Sequence, residues 1–109
     1  MSHYAPNELA ELDKKVLWHP FTQQSVWEHE RPLVIARGEG CTLFDAEGRA
    51  YLDGVSSLWT NVHGHRHPKL DGALRDQLDR LAHSTFLGLT HAPGIELAKR
   101  LVDLAPWGL

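Results

Sequence analysis

Leu33-Val34-Ile35-Ala36-Arg37, Cys41-Thr42-Leu43-Phe44-Asp45 and Ala50-Tyr51-Leu52-Asp53 are three short β-prone runs, separated by Gly38-Glu39-Gly40 and by Ala46-Glu47-Gly48. Runs of this length, rich in branched and aromatic residues and bounded by glycine turns, predict a small antiparallel meander over residues 31–54. Around it the periodicity changes. Upstream, within a lead-in of residues 1–30, Leu9, Leu12 and Val16 share one face of a helix running from a cap at Asn7 to about Leu17. Glu8 and Glu11 stand near that helix's positive end. Downstream, residues 55–109 form a loop and two amphipathic helices. Pro68 suits a first helical turn, and Leu70, Ala73, Leu74, Leu78, Leu81 and Ala82 make one stripe reaching His83. Asp71 with Arg75 and Asp76 with Arg80 have the spacing of ion pairs on that helix. The second helix begins between Thr90 and Pro93, turns Leu97, Ala98, Leu101 and Leu104 inward, and stops at Pro106. The fold class expected is α+β.

Composition narrows the function. The chain has 109 residues, 42% of them hydrophobic and 23% charged, which is ordinary globular usage. Its net charge of −3 lacks the basic excess that nucleic acid attracts, so no nucleic-acid partner is expected. Cys41 is the only cysteine, which excludes an intrachain disulfide and fits a reducing compartment. Met1 to Lys15 lacks the basic-then-apolar order of a signal peptide, and no apolar run approaches a spanning length. A cytoplasmic location without a membrane partner is the expectation. The last apolar helix ends where a further strand would begin, so the chain reads as the front end of a larger protein.

Several constellations could carry chemistry. His63, His65 and His67 alternate, and in an extended segment their rings would share one side as zinc ligands do. A small metal-binding or interaction module using these three is the alternative reading. The other reading has them bonding backbone groups in a turn and capping the helix at Pro68. Gly54, Gly64 and Gly88 lack the strand-to-helix frame of a phosphate-binding loop. Gly54-Val55-Ser56-Ser57-Leu58 is only half of a nucleophile elbow. Cys41, in a predicted strand, reads as a small core residue. Trp27 and Trp107 read as packing residues. Trp59 and Phe21, beside a loop and a helix-breaking proline, divide between pocket wall and core.

Four segments then combine: Leu17-Trp18-His19-Pro20-Phe21-Thr22-Gln23, Tyr51-Leu52-Asp53-Gly54-Val55-Ser56-Ser57-Leu58-Trp59, His63-Gly64-His65-Arg66-His67-Pro68 and Thr90-His91-Ala92-Pro93. In this order they resemble the amino-terminal segment of class III pyridoxal-phosphate aminotransferases, of the type I fold. Trp18-His19-Pro20 and the serines before Trp59 resemble the biotin-synthesis branch in particular. The resemblance implies a homodimer using pyridoxal 5'-phosphate to move the amino group of S-adenosylmethionine onto 8-amino-7-oxononanoate, giving 7,8-diaminononanoate. It implies substrate binding by Phe21, Leu58 and Trp59. Phe21 stands where a tyrosine is frequent, and Leu58 where many relatives have a second tryptophan. It also implies that Leu87 and Gly88, in the loop Phe86-Leu87-Gly88-Leu89-Thr90, approach the neighbouring subunit's active site. No catalytic, cofactor-binding or metal residue is implied within the chain. Lys14, Lys15, Lys69 and Lys99 lie in or beside predicted amphipathic helices and do not fit the Schiff-base role. By itself the segment is expected to be inactive, the cofactor being held by the full-length enzyme.

Overall fold

A computed structural model describes residues 3–107. The chain divides into two units, Met1–Pro68 and Lys69–Leu109. The first opens with α1 (Pro6–Val16), in which Pro6 takes the first turn, where its missing N–H costs nothing. The cap position belongs to Ala5, and Asn7 lies inside the helix. What replaces an Asn cap is the Glu8 carboxylate, which accepts the Ala5 N–H at 2.7 Å. After a loop comes the single turn α2 (Gln24–Trp27), which the apolar periodicity does not signal.

The predicted meander is present, with strands β1 (Ile35–Glu39), β2 (Thr42–Asp45) and β3 (Ala50–Leu52) in the order β1-β2-β3, all antiparallel. Its first turn is tighter than the glycines suggest. Gly38 and Glu39 are strand residues, Glu39 pairs with Thr42, and Gly40-Cys41 alone makes the reversal. Gly40 has φ +54, as a two-residue hairpin turn matched to strand twist requires. Cys41 is therefore exposed in a turn, and its assignment to a strand and the core is corrected. The register shifts between Ile35 and Arg37, a bulge that seats the Arg37 guanidinium 3.4 Å above the Phe44 ring.

The second turn is organised by Asp45, one of the few buried residues. Its Oδ1 accepts the amides of Glu47 (3.0 Å) and Arg49 (2.9 Å). Its Oδ2 accepts Arg49 Nε (2.7 Å) and the Tyr51 hydroxyl (3.0 Å). Burial alone would raise this carboxyl. The donors of Arg49, Tyr51 and Glu47 outweigh it and bring the pKa down to about 2. Past β3, a further short element, α3 (Ser56–Trp59), leads to an isolated bridge between Gly40 and His65.

The second unit contains most of α4 (Pro68–Leu78) and all of α5 (Ala92–Leu104). α4 stops five residues before His83, closed by Gln77 Nε2 donating to the Leu81 carbonyl at 2.8 Å. The Asp71 and Arg75 pair forms at 3.3 Å. Arg80, however, turns its Nε to the Asp76 backbone carbonyl at 3.1 Å. α5 is capped by His91, whose Nδ1 accepts the Gly94 N–H at 3.2 Å, and it ends at Ala105, just before Pro106. The inward stripe of α5 does not reach a core here: Leu97, Leu101 and Leu104 are exposed, and Ala10 is the one buried apolar residue described. Among the described residues no helix is long and apolar enough to cross a membrane.

Candidate functional site

Two loops of the first unit present large apolar side chains to solvent, and each is held by an aspartate bonded to a histidine. In the first, Asp13 on α1 accepts His19 Nε2 at 2.9 and 3.0 Å through its two oxygens. It also accepts the Trp27 indole N–H at 2.9 Å. The His19 and Trp27 rings pack at 4.6 Å between centroids. With His19 anchored, Pro20 turns the chain, Phe21 adopts φ +51, and Trp18 and Phe21 stand fully outward.

The second loop carries the most unusual backbone. Ser56, Ser57, Leu58 and Trp59 have φ values of +52, +47, +63 and +67. None is glycine, so α3 is a left-handed turn of L-residues, which costs roughly 1–2 kcal/mol per residue. Such strain persists only where the surroundings over-determine it. Here the surroundings are Asp53, whose Oδ1 accepts the Ser57 amide and whose Oδ2 accepts the Ser57 hydroxyl, both at 2.8 Å. His65 Nε2 donates to the same Oδ2 at 2.7 Å. These donors, the Ser57 amide foremost, hold the Asp53 carboxyl below the ordinary aspartate range. Hydrogen bonds to an ionised carboxylate are stronger than neutral ones, and these act against the strain of the turn. Backbone bonds close the turn, from Trp59 N–H to Val55 O (2.8 Å) and from Thr60 N–H to Ser56 O (3.0 Å).

His65 is fixed from every side. Asn61 Nδ2 lies 3.2 Å from its Nδ1, so Nε2 carries the proton given to Asp53. Its amide and carbonyl pair with Gly40 at 2.7 and 3.0 Å. A Cβ on Gly38 would lie 2.6 Å from the His65 ring carbon Cγ, so only glycine lets the ring lie against β1.

This corrects the alternative reading of the histidines. His65 spends its ring on Asp53 and Asn61, while His63 and His67 face each other at 5.8 Å between ring centroids. Among the described residues no group of three or more His, Cys, Asp or Glu could hold a metal ion. Nor does the His67 ring cap α4 through Nδ1, which is buried without a hydrogen-bond partner in the described structure.

The expected recognition residues are thus distributed. Leu58 and Trp59 are neighbours on the left-handed turn, both exposed. Phe21 lies in the other loop of the same unit, and no ring contact among the described residues joins it to Trp59. Leu87 and Gly88 belong to the second unit, in a loop anchored by Phe86 on the His91 ring (4.7 Å) and by Thr85 Oγ1 accepting the Leu87 N–H (3.0 Å). Reading the residue types alone passes over Asp13, Asp53 and the anchoring role of His65. The spacing Asp53 to Ser57 was the available signal, an acidic side chain four residues ahead of a hydroxyl donor.

The lysines bear on the cofactor. Lys14 pairs with Glu11 at 3.1 Å and Lys99 with Asp103 at 2.7 Å, as surface helical pairs do. Lys15 and Lys69 are exposed.

Residues 23–107 match the family described as aminotransferase class-III. The chain belongs to that family. The adenosylmethionine-8-amino-7-oxononanoate aminotransferase of Geobacter sulfurreducens is 50% identical over all 109 residues, which make up 24% of its length. The protein of the same name from Nitratidesulfovibrio vulgaris is 58% identical over 93% of this chain and 19% of its own. Among solved structures, that aminotransferase from Methanocaldococcus jannaschii superposes with a TM-score of 0.86 at 45% identity, covering 92% of this chain and 23% of the other. An (S)-enantioselective omega-transaminase from Thermomicrobium roseum gives 0.83 at 42% identity, covering 97% and 24%. This class III aminotransferase chain thus spans about a quarter of the length of the relatives it matches, and its helices and three-stranded sheet have the architecture of that part of the type I fold.

Proposed function

We propose that this chain supplies a recognition wall of a pyridoxal-phosphate enzyme that transfers the amino group of S-adenosylmethionine to 8-amino-7-oxononanoate in biotin synthesis. The observation that carries the proposal is the agreement of relatives at 50, 58 and 52% identity, all named adenosylmethionine-8-amino-7-oxononanoate aminotransferase. The cofactor, when bound, supplies the electron sink of transamination. This segment's part is binding. Phe21, Leu58 and Trp59 offer apolar and aromatic surface, which suits an alkyl-chain acceptor and the flat adenine or sulfonium cation of the donor. Leu87 and Gly88 approach the active site of the neighbouring subunit in a homodimer.

The test uses a chain of the relatives' full length that carries this segment. With pyridoxal phosphate and both substrates it is expected to form 7,8-diaminononanoate, and the 109-residue chain alone to form none. A full-length protein that turns over simple amines but leaves 8-amino-7-oxononanoate untouched would assign it to the omega-transaminases. A lysine-bound cofactor absorbance in the isolated segment would contradict its assignment to the recognition side.

A further inference from the structure

We infer that Asp53 and His65 are positioning residues: together they hold Ser56–Trp59 in the left-handed turn and thereby aim Leu58 and Trp59 at the substrate. The inference deepens the proposed function and rests on it for the identity of that substrate. Four observations carry it. The turn is built from residues that do not choose positive φ by themselves, so something outside its backbone must select it. The Asp53 carboxylate takes three donors, two from Ser57 and one from His65. Asp53 is itself fixed at the end of the meander, where its N–H donates to the Cys41 carbonyl at 2.9 Å. His65 is fixed on the same hairpin through Gly40 and Gly38. The rigid meander is thereby linked to the strained turn through one carboxylate. Asparagine cannot substitute, since its single acceptor oxygen would leave an NH₂ group facing the donors.

The full-length protein tests this with Asp53→Ala, His65→Ala, Ser57→Gly and the double variant Asp53→Ala/Ser57→Gly. Amide exchange is followed at Ser57, Trp59 and Thr60 alongside steady-state kinetics. Asp53→Ala is expected to remove the protection of these amides. It should also raise KM for the substrate that the turn recognises on the order of tenfold, with kcat within about threefold of the parent, as loss of uniform binding does. His65→Ala should do the same more weakly. Glycine at position 57 tolerates the left-handed conformation, so the double variant should recover most of the lost KM, a rescue that a general loss of stability would not show. Unchanged protection in Asp53→Ala would overturn the inference outright. Lost protection with unchanged KM would overturn its link to recognition. A parent enzyme that fails to use S-adenosylmethionine and 8-amino-7-oxononanoate would sink the proposed function instead, and the exchange measurements would still decide whether Asp53 selects the turn.

Discussion

Single carboxylates do much of the ordering in the first unit, and their protonation should be visible in stability. Asp45 has its pKa lowered from the ordinary 3.8 to about 2, burial pushing it up while the donors of Arg49, Tyr51 and Glu47 prevail. A carboxyl depressed on folding contributes stability above its unfolded value and loses it as pH falls through the folded one. In the full-length protein Asp45→Asn should lower the denaturant midpoint, with the full gap from the parent above about pH 5. That gap should narrow as the pH is taken from 3.8 toward 2; a gap independent of pH would mean that the charge is not what Asp45 contributes. Asp13 offers a second test. Trp27→Phe keeps the ring against His19 but removes the indole N–H from Asp13, and should cost about 1–2 kcal/mol in chemical denaturation.

Between elements, the joint that matters is the seat of His65 on β1. Gly38→Ala would press a methyl to within 2.6 Å of the His65 ring carbon Cγ, with His65 Cβ and Nδ1 at 2.9 Å, so side chain or strand must shift. Overpacking of this kind costs typically 1–3 kcal/mol, and here it should also loosen the Gly40 bridge and the Asp53 contact. Denaturation of the full-length variant measures the cost, and amide exchange at Gly40 and His65 locates it. The three strands and the three long helices, α1, α4 and α5, were legible in the sequence, because glycine-bounded β-prone runs and apolar stripes report local geometry directly. The left-handed turn was not. Ser56, Ser57, Leu58 and Trp59 have no intrinsic preference for positive φ, and the groups that impose it come from Asp53 and from His65, twelve residues further on. The histidines misled for a related reason: alternation says that three rings can share a side, not that one is already committed to a carboxylate. Asn7 lost the cap because Pro6 already occupies the first turn and Glu8 reaches back to Ala5.

At the scale of the whole chain, the deciding quantity is how little apolar surface these elements cover for one another. α4 has 11 residues and α5 has 13, a length at which isolated helices are marginal in water. Ordering each residue costs roughly 1–2 kcal/mol in backbone entropy, which only burial at about 25 cal/mol per Å² can offset. Leu74 and Leu78 on α4, and Ile95, Leu97, Leu101 and Leu104 on α5, remain more than half exposed, so that offset is missing. In the relatives, about three quarters of the polypeptide lies outside the matched region. The 109-residue chain prepared alone should therefore melt without a sharp transition, bind a hydrophobic dye, and show weak amide protection in α4 and α5. The same segment in a full-length protein should be protected and should unfold with the rest. Calorimetry separates the outcomes: a cooperative peak from the isolated chain, with calorimetric and van't Hoff enthalpies equal, would mean that these helices find sufficient partners among the 109 residues themselves.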